Sequence, residues 1–475
     1  MNRQILHLFT LVILLFGLLV AFTSRWTVFE QDDLENNTAN RRPLLEQLRI
    51  PRGDILARDG TVLAHSDASG SGSNKVYTRT YPEGDLFAHA LGYSFVDKGQ
   101  AGLEKSRNDE LTGEDNEFVS LFDELLSRER EGDDVRTTLD PEAQRAALAA
   151  MGGQTGSVVA LEPATGRVRV MVSIPDYDPN DVPDRFAEIN TAEGSPVFNR
   201  ATQARYPPGS TFKVVTAAAA LDSGKYQPDS IVDGSSPKTI SGAPLTNSGG
   251  ADFGPIPLTD ALTNSVNTVW AEVAEELGAE TMYDYMEKFG FNTEPPLDYP
   301  RSQMTPSGVF GEGNKLLDQD DPVDIGRVAI GQERLQVTPL QMAMVAAAVG
   351  NGGKLMKPRL TERVIDMDGR VTERIEPNEE EQVMKEESAA LLAEMMANVV
   401  REGTGTAAAL SGIDVAGKTG TAEVDAGASN QAWFIGFAPV DDPQMAVAVT
   451  VERTSGQGGT VAAPIAKQVL EALLG

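Results

Sequence analysis

Hydrophobic spacing along the chain changes register several times, and each change predicts a different element. Ile5 to Phe22 is a run of 18 residues without a charge, which as a helix spans about 27 Å, enough for a hydrocarbon core. Arg3 precedes it, and Glu30, Asp32, Asp33 and Glu35 follow Arg25. This bias predicts an uncleaved anchor with its N-terminus inside, because Ala21-Phe22-Thr23 makes a poor small-x-small cleavage site. The polar stretch from Gln31 to about Asn40 reads as a linker. Ile55-Leu56 and Val62-Leu63 flank an Asp59-Gly60 turn, the mark of a hairpin, and the Ser/Gly stretch Ser66 to Asn74 predicts a loop.

A second hairpin is predicted where Val158-Val159-Ala160-Leu161 and Val168-Arg169-Val170-Met171-Val172 enclose Pro163-Ala164-Thr165-Gly166. Helical spacing then dominates to about Gly350, where Leu340 to Val349 stops at Gly350-Asn351-Gly352-Gly353. Glu376 to Glu387 reads as a solvated helix face. Strand patterns return at Ala416 to Ala422, Ala432 to Ala438 and Met445 to Val451, before an amphipathic helix at Val461 to Leu474. Strands at both ends with helices between predict one antiparallel sheet that joins the first hairpin to the last strands, covered by helices on both faces. The fold class is mixed α/β.

Composition removes whole classes of function. With 70 acidic against 40 basic side chains and a net charge of −30, the surface lacks the basic face that nucleic acid requires. Cysteine is absent, which excludes disulfides and thiolate chemistry. The three histidines, His7, His65 and His89, have no ligand spacing; zinc catalysis, any other metal site and a Ser-His-Asp triad find no support.

The remaining chemistry is carried by serine and lysine. Tyr206-Pro207-Pro208-Gly209-Ser210-Thr211-Phe212-Lys213 opens a helix that continues through Val214, Val215, Thr216 and four alanines. Proline is tolerated in the first helical turn, Ser210 falls where unpaired N–H groups favour negative charge, and Lys213 shares its face. That pairing makes a nucleophile and a base, or simply a helix cap. A second Ser-x-x-Lys, Ser235 to Lys238, contains Pro237 and reads as a turn. Thr263-Asn264-Ser265-Val266-Asn267 offers a hydroxyl and an amide two residues apart, although Ser106-Arg107-Asn108 repeats the pattern. Lys418-Thr419-Gly420 occurs once, and on a strand Gly420 would let a substrate backbone approach.

Taken in order, Ser-x-x-Lys, Ser-x-Asn and Lys-Thr-Gly resemble the signature of penicillin-binding proteins and serine β-lactamases. The gaps of 52 residues from Lys213 to Ser265 and 151 from Asn267 to Lys418, with Gly403-Thr404-Gly405 and Gly417 to Ala422, are similar to the transpeptidases of that group. Arg52-Gly53-Asp54-Ile55, Arg58-Asp59-Gly60 and Gly102-Leu103-Glu104 resemble the pedestal of class B, monofunctional members, and among these the short actinobacterial PbpA type.

The resemblance implies a tail at 1–4, an anchor at 5–22, a pedestal at 23–150 and a transpeptidase domain at 151–475, with no glycosyltransferase domain and no C-terminal repeats. It implies D,D-transpeptidation of peptidoglycan stem peptides, without a cofactor, outside the cytoplasmic membrane. Ser210 would be the nucleophile and Lys213 its neutral base, discharged by burial and by Lys418. Ser265 would return a proton to the leaving amine, and Asn267 would hold the substrate backbone. Lys418, Thr419 and Thr421 would bind the terminal carboxylate beside Gly420, with the Ser210 and Thr421 N–H groups forming the oxyanion hole. β-Lactams would acylate Ser210, and the partner would be a RodA/FtsW-type membrane glycosyltransferase. A D,D-carboxypeptidase, a β-lactamase and a non-enzymatic β-lactam sensor or scaffold are the alternatives.

Overall fold

The computed structural model describes residues 2–25, 48–71, 75–113, 131–424 and 429–475. The linker expected at Gln31 to Asn40 lies outside them, as does the end of the Ser66 to Asn74 loop. The chain divides into two compact units, residues 1–51 with 67–78, and residues 52–66 with 79–475.

In the first unit the apolar run forms α1 (Asn2–Ser24). Ile5, Leu6, Leu8, Phe9 and Phe16 are exposed along it. The Thr10 and Thr23 hydroxyls donate to carbonyls one turn back, at 2.9 Å to Leu6 and 2.8 Å to Leu19. Among the described residues, no helix is long and apolar enough to cross a membrane.

The second unit is built on two sheets and the helices that cover them. Its strands include β1 (Ile55–Leu56), residues 62–66 of β2 (Val62–Ser69), β3 (Asp134–Thr137), β4 (Gly156–Leu161) and β5 (Val168–Ile174). Later in the chain come β6 (Thr361–Ile365), β7 (Val371–Arg374), β8 (Ala416–Val424), β9 (Ser429–Ala438) and β10 (Met445–Thr454). The helices that frame the site are α2 (Pro141–Met151), α3 (Lys213–Asp222), α4 (Asn267–Leu277), α5 (Pro339–Gly350), α6 (Glu386–Arg401) and α7 (Ala462–Leu474).

The central sheet runs β8-β9-β10-β4-β5, antiparallel throughout, with Val449 opposite Val158 where the two ends of the chain meet. Alternation decides its two faces. Val158, Ala160, Val170, Val447 and Val449 pack with Ala147 of α2 and Ile465, Ala466 and Val469 of α7. Val159, Leu161, Met171, Ala446 and Ala448 face the opposite way, into the core that holds α3, α4 and α5. Both faces are covered, so these strands read as continuous hydrophobic runs. α2 is capped by Asp140, whose carboxylate accepts from the Glu142 and Ala143 N–H groups, with Pro141 in its first turn. α5 is buried from Pro339 to Val349 and has no polar face.

In the other sheet β7-β6-β3-β1-β2 lie side by side, with β1 parallel to β3. Two of its strands, β6 and β7, come from more than 200 residues further along the chain than β3. The Arg52 and Glu104 motifs meet beside it. Glu104, wholly buried, accepts from Arg52 Nη2 at 2.9 Å, Arg79 Nε at 2.5 Å and Tyr81 Oη at 3.2 Å. Gly92 and Gly102 are obligatory here: a Cβ on Gly92 would meet the Ala101 oxygen at 2.0 Å.

Two local expectations fail. The acidic run Glu376 to Glu387 does not form one helix face. Glu379–Gln382 is a strand paired with Lys354–Met356, with Lys354 and Lys357 meeting Glu379 and Glu380 at 3.9 and 3.0 Å; α6 starts only at Glu386. The Ser/Gly loop begins late, because β2 continues through Ser69.

Candidate functional site

The approach to Ser210 is fixed on three sides. Tyr206 exchanges backbone hydrogen bonds with Val337 at 2.9 and 2.8 Å, its hydroxyl donates to Glu452 at 2.5 Å, and Trp433 Nε1 donates to the Pro207 carbonyl at 3.0 Å. The two prolines and Gly209, with φ at +52°, then start a tight 3-10 turn, Gly209–Phe212, that carries Ser210 ahead of α3. Gly331 presses on this turn from below. It accepts from the Gly209 N–H at 3.0 Å, and a Cβ on it would lie 1.8 Å from the Gly209 oxygen. Nothing in the sequence around Gly331 marks it as a site residue.

Ser210 is half-buried, but Lys213, one turn on, is fully buried. The small side chains Ala217 to Ala220 let α4 and α6 close over α3, which removes water from the lysine. Lys213 Nζ lies 3.0 Å from Ser210 Oγ, 3.1 Å from Ser265 Oγ, 2.7 Å from the Ser265 carbonyl oxygen and 2.6 Å from Asn267 Oδ1. Ser265 sits in the left-handed region at φ +58°, a strained conformation for a residue with a Cβ, just before α4 begins at Asn267. That turn brings both the serine hydroxyl and the asparagine amide to the lysine.

Lys418 reaches the same point from β8, at the edge of the sheet. Its Nζ lies 3.0 Å from Ser265 Oγ and 3.0 Å from the Thr419 carbonyl oxygen, and it too is fully buried. Among the described residues neither lysine has a carboxylate partner. Burial, and after it the neighbouring Lys418, pushes the Lys213 ammonium well below the ordinary lysine range. Burial alone pushes Lys418 down to about 7. Burial is therefore the principal cause of discharge at Lys213, ahead of the neighbouring cation.

The structure brings Ser210, Lys213, Ser265, Asn267 and Lys418 into one hydrogen-bonded cluster. Thr419 and Thr421 follow on the same strand, with Thr419 Oγ1 2.7 Å from Thr404 Oγ1 and Thr421 Oγ1 accepting from the Gly458 N–H at 3.1 Å. Gly420 has a purpose the sequence did not reveal. A Cβ there would meet the Pro208 oxygen at 2.6 Å, so its absence lets β8 lie against the Ser210 turn.

The duplicate motifs are structural. Lys238 pairs with Glu272 at 2.6 Å and Asp233 at 3.1 Å, while Asn108 Oδ1 accepts from Arg52 at 2.9 Å. His89 is buried and driven to a pKa of about 4 by burial, with its Nε2 2.7 Å from the Pro196 oxygen. Sequence reasoning also passed over Asn247. It is buried behind the site, where its Oδ1 accepts from the Thr268 N–H at 3.0 Å and its Nδ2 ties down the Gly234 and Ala251 carbonyls.

Comparison with known proteins places this geometry. The penicillin-binding protein transpeptidase domain matches residues 156–471, and the penicillin-binding protein A dimerisation domain matches residues 52–135. The peptidoglycan D,D-transpeptidase PbpA of Mycolicibacterium smegmatis is 35% identical over 503 residues, covering 100% of this chain and 99% of that protein. The structure of penicillin-binding protein A from M. tuberculosis as a ceftriaxone acyl-enzyme complex superimposes with a TM-score of 0.82 at 32% identity, covering 91% of this chain and 100% of that one. A D,D-transpeptidase domain from Eggerthella lenta gives 0.78 at 33% identity, covering 90% and 98%.

Proposed function

This chain belongs to the class B penicillin-binding protein transpeptidases, and from that premise we propose that it cross-links peptidoglycan stem peptides through an acyl-enzyme on Ser210. Ser210 Oγ attacks the carbonyl of the penultimate D-alanine as its proton passes to Lys213. The N–H groups of Ser210 and Thr421 hold the resulting oxyanion; one such donor contributes about 3 kcal/mol. The amide C–N bond then breaks, Ser265 relays a proton to the leaving nitrogen, and terminal D-alanine departs. The amine of a second stem peptide attacks the ester, forms the new amide and frees Ser210.

The observation that carries this reading is a wholly buried lysine, without a carboxylate, 3.0 Å from the Ser210 hydroxyl. Its other neighbours favour the base role. The Ser265 carbonyl and Asn267 Oδ1 can only accept, and they take the two protons of a neutral amine at 2.7 and 2.6 Å. The Asn267 amide is oriented for this, since its Nδ2 donates to the Thr246 carbonyl at 3.2 Å. The lone pair of Lys213 is left for Ser210. In the complex the substrate carbonyl takes over Asn267 Nδ2 from Thr246. Thr419, Thr421 and Lys418 receive the terminal carboxylate at the edge of β8.

The uncharged run 5–22 serves as a single membrane anchor with residues 1–4 inside, residues 23–150 as the pedestal and residues 151–475 outside as the catalytic domain. A RodA/FtsW-type polymerase supplies the glycan strands. β-Lactams occupy the D-alanyl-D-alanine site and remain on Ser210. The test is a cross-linking assay with lipid II and a membrane polymerase. Dimeric stem peptides that require Ser210 support the transpeptidase. Release of D-alanine without dimers marks a carboxypeptidase, and neither product together with a stable penicillin adduct marks a sensor.

A further inference from the structure

The two N–H groups of the oxyanion hole come from different elements, so other contacts must hold those elements in register. Ser210 belongs to the turn Gly209–Phe212 and Thr421 to β8. The turn lies directly on the strand, since a Cβ on Gly209 would meet the Thr421 oxygen at 2.8 Å. Contact of that kind limits approach but sets no direction, whereas hydrogen bonds do. The residues just before Ser210 make two such bonds with side chains of the sheet. Trp433 of β9, which pairs with Gly420, donates from Nε1 to the Pro207 carbonyl at 3.0 Å. Tyr206 lays its ring edge-on against Trp433, with centroids 6.1 Å apart, and its hydroxyl donates to Glu452 Oε1 at 2.5 Å.

Glu452 lies on β10, outside the three motifs, and it is anchored from several directions. Its backbone N–H donates to the Thr155 carbonyl at 2.8 Å, one residue before β4. The oxygen that receives Tyr206 also accepts from Arg200 Nε at 2.8 Å, and Arg200 is buried. The arginine is fixed in turn: its Nη2 donates to the Gly194 carbonyl at 2.7 Å, and its backbone N–H to Ser173 Oγ of β5 at 2.9 Å. Burial, and after it the Glu452 charge, raises the Tyr206 hydroxyl well above the ordinary phenol range, so it keeps its proton to donate. A hydrogen bond to an ionised acceptor is about twice as strong as a neutral one. A carboxylate built into the sheet therefore holds the chain four residues before Ser210.

We propose that Glu452 is a positioning residue for the oxyanion hole: through Tyr206 it holds the Ser210 N–H in register with the Thr421 N–H on β8. This rests on the assignment of Ser210 as the acylated serine. It deepens that assignment by naming a residue, remote from the reacting atoms, on which the acylation rate depends and substrate binding does not.

The test exploits the atom that the hole receives. The full-length chain in detergent is acylated by an N-acyl-D-alanyl ester of an α-hydroxy acid, and by its thiono analogue, in which sulfur replaces the carbonyl oxygen. Burst release of the hydroxy acid gives the rate. Sulfur is a weak acceptor, so wild type should strongly prefer the oxygen ester. Tyr206→Phe removes only the hydroxyl. It should slow acylation by saturating oxygen ester about tenfold to a hundredfold, as for loss of a hydrogen bond to a charged group, with the half-saturating concentration unchanged. It should slow the thiono ester far less, so the oxygen-to-sulfur preference collapses. Glu452→Gln, which keeps an acceptor for Tyr206, should retain the preference. Equal losses on both esters would show a merely structural role and overturn the proposal. So would a wild type without the preference, an unchanged preference in Tyr206→Phe, or its collapse in Glu452→Gln. A wild type acylated by neither ester, or a Ser210→Ala chain acylated as fast, would overturn the Ser210 assignment itself, and this inference with it.

Discussion

Replacing Gly420 by alanine separates two reasons for a glycine at that position. The added Cβ would meet the Pro208 oxygen at 2.6 Å, Thr211 Cγ2 at 2.9 Å and the Thr211 nitrogen at 3.1 Å, whereas ordinary contact begins at 3.4 Å. Two of those atoms are backbone and flank Ser210, so relief requires the nucleophile turn and β8 to part by most of an ångström. Overpacking of this kind costs about 1–3 kcal/mol of stability. A displacement of about 1 Å at reacting groups costs on the order of 100-fold in rate, equal to about 2.7 kcal/mol of barrier. Gly420→Ala should therefore lower the unfolding midpoint in urea and slow benzylpenicillin acylation by about two orders of magnitude. If the glycine served only the approach of a substrate, acylation would fall and stability would hold. A variant with wild-type stability would refute the packing argument, and one that also acylates at the wild-type rate would refute any constraint at Gly420.

Lys213→Arg keeps a cation that cannot discharge, and because general bases contribute about 10²–10⁴-fold, stopped-flow acylation should fall at least about a hundredfold; a near-normal rate would remove Lys213 as the base. Lys418 has a pKa of about 7 when folded and an ordinary value of 10.5. Below pH 7 both states hold the proton and the fold bears the whole cost of burying it. Between about 7 and 10.5 only the unfolded chain stays protonated, so stability rises with pH there, and Lys418→Met should flatten that rise in urea titrations. Glu104→Gln leaves Arg79 and Arg52 without their buried counter-ion and should cost about 3–5 kcal/mol; a loss under about 1 kcal/mol would mean that solvent replaces the carboxylate.

Much of this architecture was legible because the chain states it locally. Strands buried on both faces left unbroken hydrophobic runs at Val158 to Leu161 and Met445 to Val451, and the return of strands after a helical middle fixed the sheet that joins the two ends. Ser210 and Lys213 were readable because one helical turn holds both. What escaped was set by distant backbone. Gly331 matters because Gly209, over a hundred residues earlier, lies against it, and no local pattern encodes that meeting. Gly420 was legible as a close-approach residue, but its packing against the Pro208 oxygen beside Ser210 was not. The acidic run near Glu379 became a strand because it pairs with Lys354–Met356, a partner invisible to helical periodicity. The contribution of β6 and β7 to the sheet beside the Arg52 motif was equally hidden, since β3 and β6 are far apart in sequence.

The central claim is that Ser210, activated by a buried neutral lysine, is the acylated nucleophile. Intact mass of the full-length chain after incubation with benzylpenicillin tests it directly, with Ser210→Ala beside it; the chain has no cysteine, so no thiol adduct can form. The account predicts a stable gain of one penicillin equivalent in the wild type and none in Ser210→Ala. No adduct on the wild type with the drug intact, or an equal adduct on both proteins, would contradict it.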